Sequence, residues 1–214
     1  MSAVGIPPKW AVEELHKAGI VVMNMVGHPK HVQKALDVGV DLICAQAGEG
    51  GGHTGEIPAS ILIPACVDAV KGYKSPLTGK PVYVIGAGAV YDGRGLAANL
   101  SWGAQGVWVG TRFVASVEAG APKIHKDLIV SAGFDDVART IIYTGRPMRV
   151  RKTPYVADWC VHYFLLFSFL MSFLNKLGKR TVNRKLRSSP PKVSSHIMKN
   201  SRSTPKSPSL DARG

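Results

Sequence analysis

The sequence predicts an α/β fold with a parallel sheet, and three observations predict it. Apolar runs of strand length alternate with stretches of helix length through residues 9–113. The runs are apolar throughout rather than alternating, as strands covered on both faces are. Each run also ends in small residues, so the strand tips gather their loops on the face where parallel α/β proteins build sites.

The elements follow in order. After a lead of Ser2 to Pro8, Trp10 to Ala18 sets Trp10, Val12 and Leu15 among charged residues and is closed by Gly19, the pattern of a short amphipathic helix. Ile20 to Val26 is a continuous apolar strand ended by Gly27-His28-Pro29. Lys30 to Val38 is helical, with Val32, Ala35 and Leu36 on one face and Gly39 as its stop. Asp41 to Gln46 is the second strand. A Gly-rich loop follows, then a helix over Pro58–Tyr73 and a polar loop with turn residues Ser75-Pro76 and Thr78-Gly79. Pro81 to Ile85 is the third strand, Asp92 the N-cap of a helix over Gly93–Trp102, and Val107 to Val109 the fourth strand.

The loop after the second strand, Gln46 to Gly55, holds five glycines in the eight residues 48–55. Residues without side chains let backbone approach a flat ligand and free N–H groups to point at it. His53 is its one ionisable ring, and imidazole changes protonation near neutral pH. That is what a cofactor site with a general base needs. The same composition suits a plain connection with a solvated histidine. The loops after the third and fourth strands, Gly86-Ala87-Gly88 and Gly110-Thr111, favour the site. They have the character of a phosphate cradle, with small residues, a helix N-terminus and a hydroxyl. Adjacent phosphate loops of this kind are typical of the last strands of a (β/α)8 barrel.

Here the pieces resemble a known family. Gly39-Val40-Asp41, Ala45-Gln46 and Glu49 to Gly55 are followed in order by Pro81-Val82, Gly86-Ala87-Gly88, Asp92 to Gly95, Gly103-Ala104, Gly110 to Phe113 and Gly145-Arg146-Pro147. The ordered set is similar to the nitronate monooxygenase (2-nitropropane dioxygenase) family, from about residue 8 to about residue 156. The resemblance implies a (β/α)8 TIM-type barrel of which the second half, about four β/α units, is present. It implies FMN as cofactor and oxidation of alkyl nitronates or nitroalkanes with O2. Gln46, Gly48, Gly51, Gly52, Gly86, Gly88, Gly110 and Thr111 would bind the FMN, the last four at its phosphate. His53 would be the catalytic base, and no metal is required. Ala87 departs from the family pattern, which usually has a second glycine there. Because the first half of the barrel is not represented, the chain is expected to be a fragment, a truncated product or one half of an association.

Composition bounds the rest. Of the net charge of +13, ten charges fall in residues 175–214, which hold eleven Lys/Arg and one acid. The basic balance thus belongs to the tail. Cys44, Cys66 and Cys160 have no metal spacing, and an odd count argues against a disulfide framework; Cys44 is expected as a buried thiol. No secretory signal is visible at the N-terminus. The organisation expected is a partial barrel over 1–156, an apolar helix over 157–175 and a basic disordered tail over 176–214. The apolar stretch 159–174 falls short of the roughly 20 residues that span a bilayer, so membrane contact is an alternative to a cytoplasmic location. No specific nucleic-acid partner is expected.

Among other residues, His28 and His31 lack a third ligand, and Glu49 is either a second acid/base beside His53 or, the favoured expectation, the partner of a helix N-terminus. Arg112 would meet a phosphate or pair with Glu118. The run Arg146, Arg149, Arg151, Lys152 is expected as solvated surface, and Trp102 and Trp108 as packing. The alternative functions are an FMN-dependent enoyl reductase of related barrel type, or a non-catalytic fragment with a basic membrane- or nucleic-acid-binding tail.

Overall fold

The computed structural model describes residues 1–159 and, beyond them, residues 166, 169, 170 and 172. The expected tail over 176–214 and most of the apolar segment 157–175 lie outside the described residues. The chain divides into Met1–Phe164 and Leu165–Gly214, and the architecture below is that of the first unit. Its elements are α1 (Lys9–Lys17), β1 (Met23–Val26), α2 (Val32–Asp37), β2 (Leu42–Gln46), β3 (Gly52–His53), α3 (Ala59–Ala69), β4 (Tyr83–Ala87), α4 (Gly93–Ser101), β5 (Gly106–Trp108), α5 (Thr111–Val114), α6 (Lys123–Val130), β6 (Val137–Thr140) and β7 (Met148–Arg151).

The four expected strands form one sheet in the order β1-β2-β4-β5, and every pairing is parallel. The register aligns Asn24, Ile43 and Val84 across the sheet, and then Val26, Ala45, Gly86 and Val107. This face takes the helices: Ile43, Ala45 and Val84 are fully buried with Leu62, Ile63 and Cys66 of α3. Gly86 lets the helices come that close. A Cβ there would fall on Asn99 Oδ1 of α4 and stand 3.1 Å from Ile63 Cδ1. The opposite face carries Met25, Cys44, Gln46, Ile85, Ala87 and Trp108, with Trp108 42% exposed at the end of the edge strand. Packing was expected of both Trp102 and Trp108; only Trp102 lies against the core.

The first strand begins later than its apolar run. Ile20 and Val21 are exposed, and pairing starts at Met23. The reason is Asp41. The Val22 N–H donates to Asp41 Oδ2 (2.6 Å), and the backbone N–H groups of Asp41 and Leu42 donate to Val22 O, which turns the preceding residues out of the sheet. Asp41 is 3% exposed. Its carboxylate also accepts from the Ser75 hydroxyl (2.6 Å) and lies 2.9 Å from His16 Nε2. One buried group thereby ties α1, the start of β2 and the α3–β4 connection. Burial alone would raise the Asp41 pKa, but the bonds from Ser75, Val22 and His16 with the His16 charge outweigh it, and the carboxyl is held below the usual range.

A second sheet was not expected. β3, β7 and β6 pair antiparallel, in that order. β3 is only two residues long and lies in the loop after β2, so its pattern is too short to be read from the sequence.

The Asp41 cluster gives a prediction. A carboxyl whose folded pKa is depressed stabilises the fold above its unfolded value of about 3.9 and loses that contribution as pH falls through the lower folded value. Ser75→Ala should cost about 1.5–3 kcal/mol near neutral pH, the range for a hydrogen bond to a charged group. It should also move the onset of acid unfolding to higher pH. Urea denaturation between pH 2 and 7 measures both effects; unchanged midpoints across that range would contradict this assignment.

Candidate functional site

Three strand-end loops meet on one side of the parallel sheet. Residues 47–52 follow β2, residues 88–92 follow β4, and residues 109–110 lead from β5 into α5. At their contacts there is no room for side chains. A Cβ on Gly51 would stand 2.5 Å from Thr111 Oγ1, and one on Gly88 would stand 3.2 Å from Gly50 N and 3.1 Å from Ala47 O. A Cβ on Gly50 would collide with the Gln46 side-chain amide, which is 9% exposed and folds over the loop from the end of β2. Gly88 and Ala89 both have positive φ, 93° and 59°. For Ala89 this left-handed backbone costs about 1–2 kcal/mol.

The loop after β2 is held from behind. Gly48 N–H donates to Ile57 O (2.9 Å), and Gly48 O accepts from Arg149 Nη2 (2.9 Å) and Nε (3.2 Å). The Thr54 hydroxyl donates to Ala47 O, and the Thr54 N–H to Pro147 O (3.2 Å). Glu49 accepts from Ala59 N–H with both carboxylate oxygens at 3.2 Å. It therefore complements the N-terminus of α3, as expected, where the helix dipole favours negative charge. Arg149 is a correction. It and Arg151 are not solvated surface: Arg149 anchors the Gly-rich loop, and Arg151 pairs with Asp136 (3.2 Å). Their place on β7 decides this, and the sequence run shows only the charge. Arg139 of β6 likewise reaches Glu56.

His53 is exposed at the end of β3, opposite Met148 of β7. Its Nε2 lies 2.9 Å from the Thr144 hydroxyl, in the connection between β6 and β7. Thr144 is the residue that sequence reasoning missed; its only signal was its place beside Gly145-Arg146-Pro147.

The other expected residues divide. Gly110 leads into α5, whose N-terminus has no side-chain cap, so its first N–H groups and the Thr111 hydroxyl are available to an anion. The N-terminus of α4 is already filled: Asp92 accepts from the Arg94 and Gly95 N–H groups (3.0 and 3.3 Å). Gly86 lies within β4 and faces Asn99 rather than the loops. Arg112 is exposed, and Glu118 is held by its own backbone and by Ser116. His28 Nδ1 accepts from Lys30 N–H (3.1 Å) and caps the turn at Pro29–His31. Burial pushes the thiols of Cys44 and Cys66 up to about 12, so neither is a thiolate at neutral pH.

Four β/α units with their tips on one face make half of a (β/α)8 barrel of the enzyme-bearing kind. The nitronate monooxygenase family model matches residues 1–161, and the chain belongs to that family. A (3aS,4S,5R,7aS)-5-hydroxy-7a-methyl-1-oxo-octahydro-1H-indene-4-carboxyl-CoA dehydrogenase of Mycobacterium tuberculosis is 41% identical over 150 residues, 70% of this chain and 40% of that protein. A nitronate monooxygenase of Neurospora crassa is 38% identical over 125 residues, 57% of this chain and 32% of that protein. The structure of FabK from Thermotoga maritima agrees with a TM-score of 0.64 at 33% identity, covering 73% of this chain and 47% of that one. The chain thus spans less than half the length of each.

The packing role of Gly86 is testable. Gly86→Ala should destabilise the protein by about 1–3 kcal/mol, as overpacking does. Asn99→Ala in the same chain should recover most of that loss, because Asn99 Oδ1 is buried without a hydrogen-bond partner and occupies the space the new methyl needs. A double-mutant cycle by equilibrium denaturation measures the coupling; simple additivity would show that Gly86 is not kept small by α4.

Proposed function

We propose that these loops form part of the site of an FMN-dependent nitronate monooxygenase, oxidising alkyl nitronates and their parent nitroalkanes with O2. The observation that supports the reading is that three strand-end loops meet at glycines, with His53 at the end of one of them. The residues present fit FMN. Gln46, Gly51 and Gly52 would lie along the flavin, and Gly88, Gly110 and Thr111 would hold its phosphate at the uncapped start of α5. Gly48 and Gly86 would serve from behind, the first by fixing the loop through Arg149 and the second by seating α4. When bound, FMN supplies the electron acceptor for the nitronate and the reductant for O2.

The protein's own part is proton transfer and orientation. A neutral nitroalkane must lose the proton from the carbon beside its nitro group, and the resulting nitronate carries the negative charge. His53 is the group that would take that proton. A positioned general base contributes about 10²–10⁴-fold. A preformed nitronate needs no base.

The test compares the two substrates. His53→Asn should lower kcat/KM for neutral nitroethane by about 10²–10⁴-fold and leave oxygen uptake with ethyl nitronate nearly unchanged. Equal losses on both would remove the base role.

A second reading is supported by the 41%-identical relative, which is named a carboxyl-CoA dehydrogenase: oxidoreduction of a CoA thioester or enoyl substrate with a nicotinamide partner. Steady NADH oxidation with an enoyl-CoA, without nitronate-dependent oxygen uptake, would select it.

A further inference from the structure

We propose that Thr144 is a positioning residue for His53: its hydroxyl accepts the Nε2–H and leaves Nδ1 as the basic nitrogen. The geometry is built by the second sheet. β3 sets Gly52 against Arg149 and His53 against Met148. The connection from β6 to β7 folds back with Gly145 N–H on Ile141 O (2.8 Å) and Gly145 at φ 69°. This brings Thr144 Oγ1 to 2.9 Å from His53 Nε2, across 91 residues of sequence.

Donor counting permits the acceptor role for the hydroxyl without requiring it, and persistence of the bond through proton uptake favours it. A threonine hydroxyl has one proton to give and two lone pairs to accept with. The Arg146 N–H points at Thr144 Oγ1 from 3.4 Å and takes one lone pair. The other is free for Nε2–H. This arrangement also survives proton uptake. The imidazolium donates from both nitrogens, so a hydroxyl that already accepts from Nε2 keeps its bond when Nδ1 gains a proton. A hydroxyl that donated to Nε2 would have to turn away each time. Thr144 thus fixes the tautomer and the ring plane, as the partner of the second nitrogen does for histidines generally.

The proposal rests on the nitronate reading only for its consequence in catalysis; the tautomer is measured without turnover. In the full chain labelled with ¹⁵N at histidine, long-range proton–nitrogen spectra identify the His53 ring by its loss in His53→Asn. In the neutral ring, Nε2 should be of the protonated type and Nδ1 of the bare type, both in the wild type and in Thr144→Ser. Thr144→Val should move both nitrogens toward the averaged positions of a solvated imidazole. A bare-type Nε2 in the wild type, or a Thr144→Val spectrum identical to it, overturns the proposal. In turnover, Thr144→Val should lower kcat/KM for neutral nitroethane about tenfold, a part of the roughly 10²–10⁴-fold that a positioned base contributes, and Thr144→Ser should restore it. If His53→Asn fails to separate nitroethane from its nitronate, the base reading falls, while the ring spectra still decide the role of Thr144.

Discussion

Glycine lets three strand-end segments come together at the tips of the parallel strands. Gly51 lies against the Thr111 hydroxyl, and Gly88 lies against Gly50 and Ala47. A methyl at Gly88 would press on the Ala47 carbonyl and the Gly50 nitrogen, and one at Gly51 would displace the Thr111 hydroxyl. The close approach also explains the backbone at residues 88–89, where two successive residues take positive φ and one of them is alanine. Such a conformation persists only when the surroundings impose it.

Loops made of glycine have little rigidity of their own, because glycine loses more freedom on ordering than any other residue. Here the rigidity comes from outside the loop. β7 supplies Arg149 to Gly48, and the connection from β6 to β7 supplies Pro147 O to Thr54 and Thr144 to His53. Glu49 ties the same loop to the start of α3. At the other end of β2, Asp41 joins α1, β1 and the connection before β4. β2 is therefore fixed at both ends by polar groups, while its middle is held by apolar burial of Ile43, Cys44 and Ala45.

The parallel sheet was legible in the sequence because its strands are apolar runs separated by helical patterns and closed by glycine. All four appear, in the expected order and direction. The edges were less legible: Ile20 and Val21 read as strand but are exposed, since Asp41 takes the backbone of Val22. The second sheet was not legible at all. β3 has two residues, β6 shows no alternation, and β7 alternates Met and Val with Arg over only four residues, too few to mark a strand. For the same reason Arg149 read as solvated surface and Thr144 escaped notice, since their partners lie 101 and 91 residues away. The Gly-rich loop itself was legible, but glycine has more than one use. Gly51 and Gly88 meet other loops, whereas Gly86 meets a helix, and composition alone does not distinguish them.

The proposed function makes the meeting of Gly51 with Thr111 a cradle for a flavin mononucleotide. Titrating FMN with the full-length chain and with Gly51→Val, followed by flavin fluorescence, tests it most directly. Saturable binding by the wild type, weakened at least tenfold by Gly51→Val while the far-ultraviolet circular dichroism is retained, is the result predicted. Equal binding by both chains, or none by a folded wild type, would contradict it.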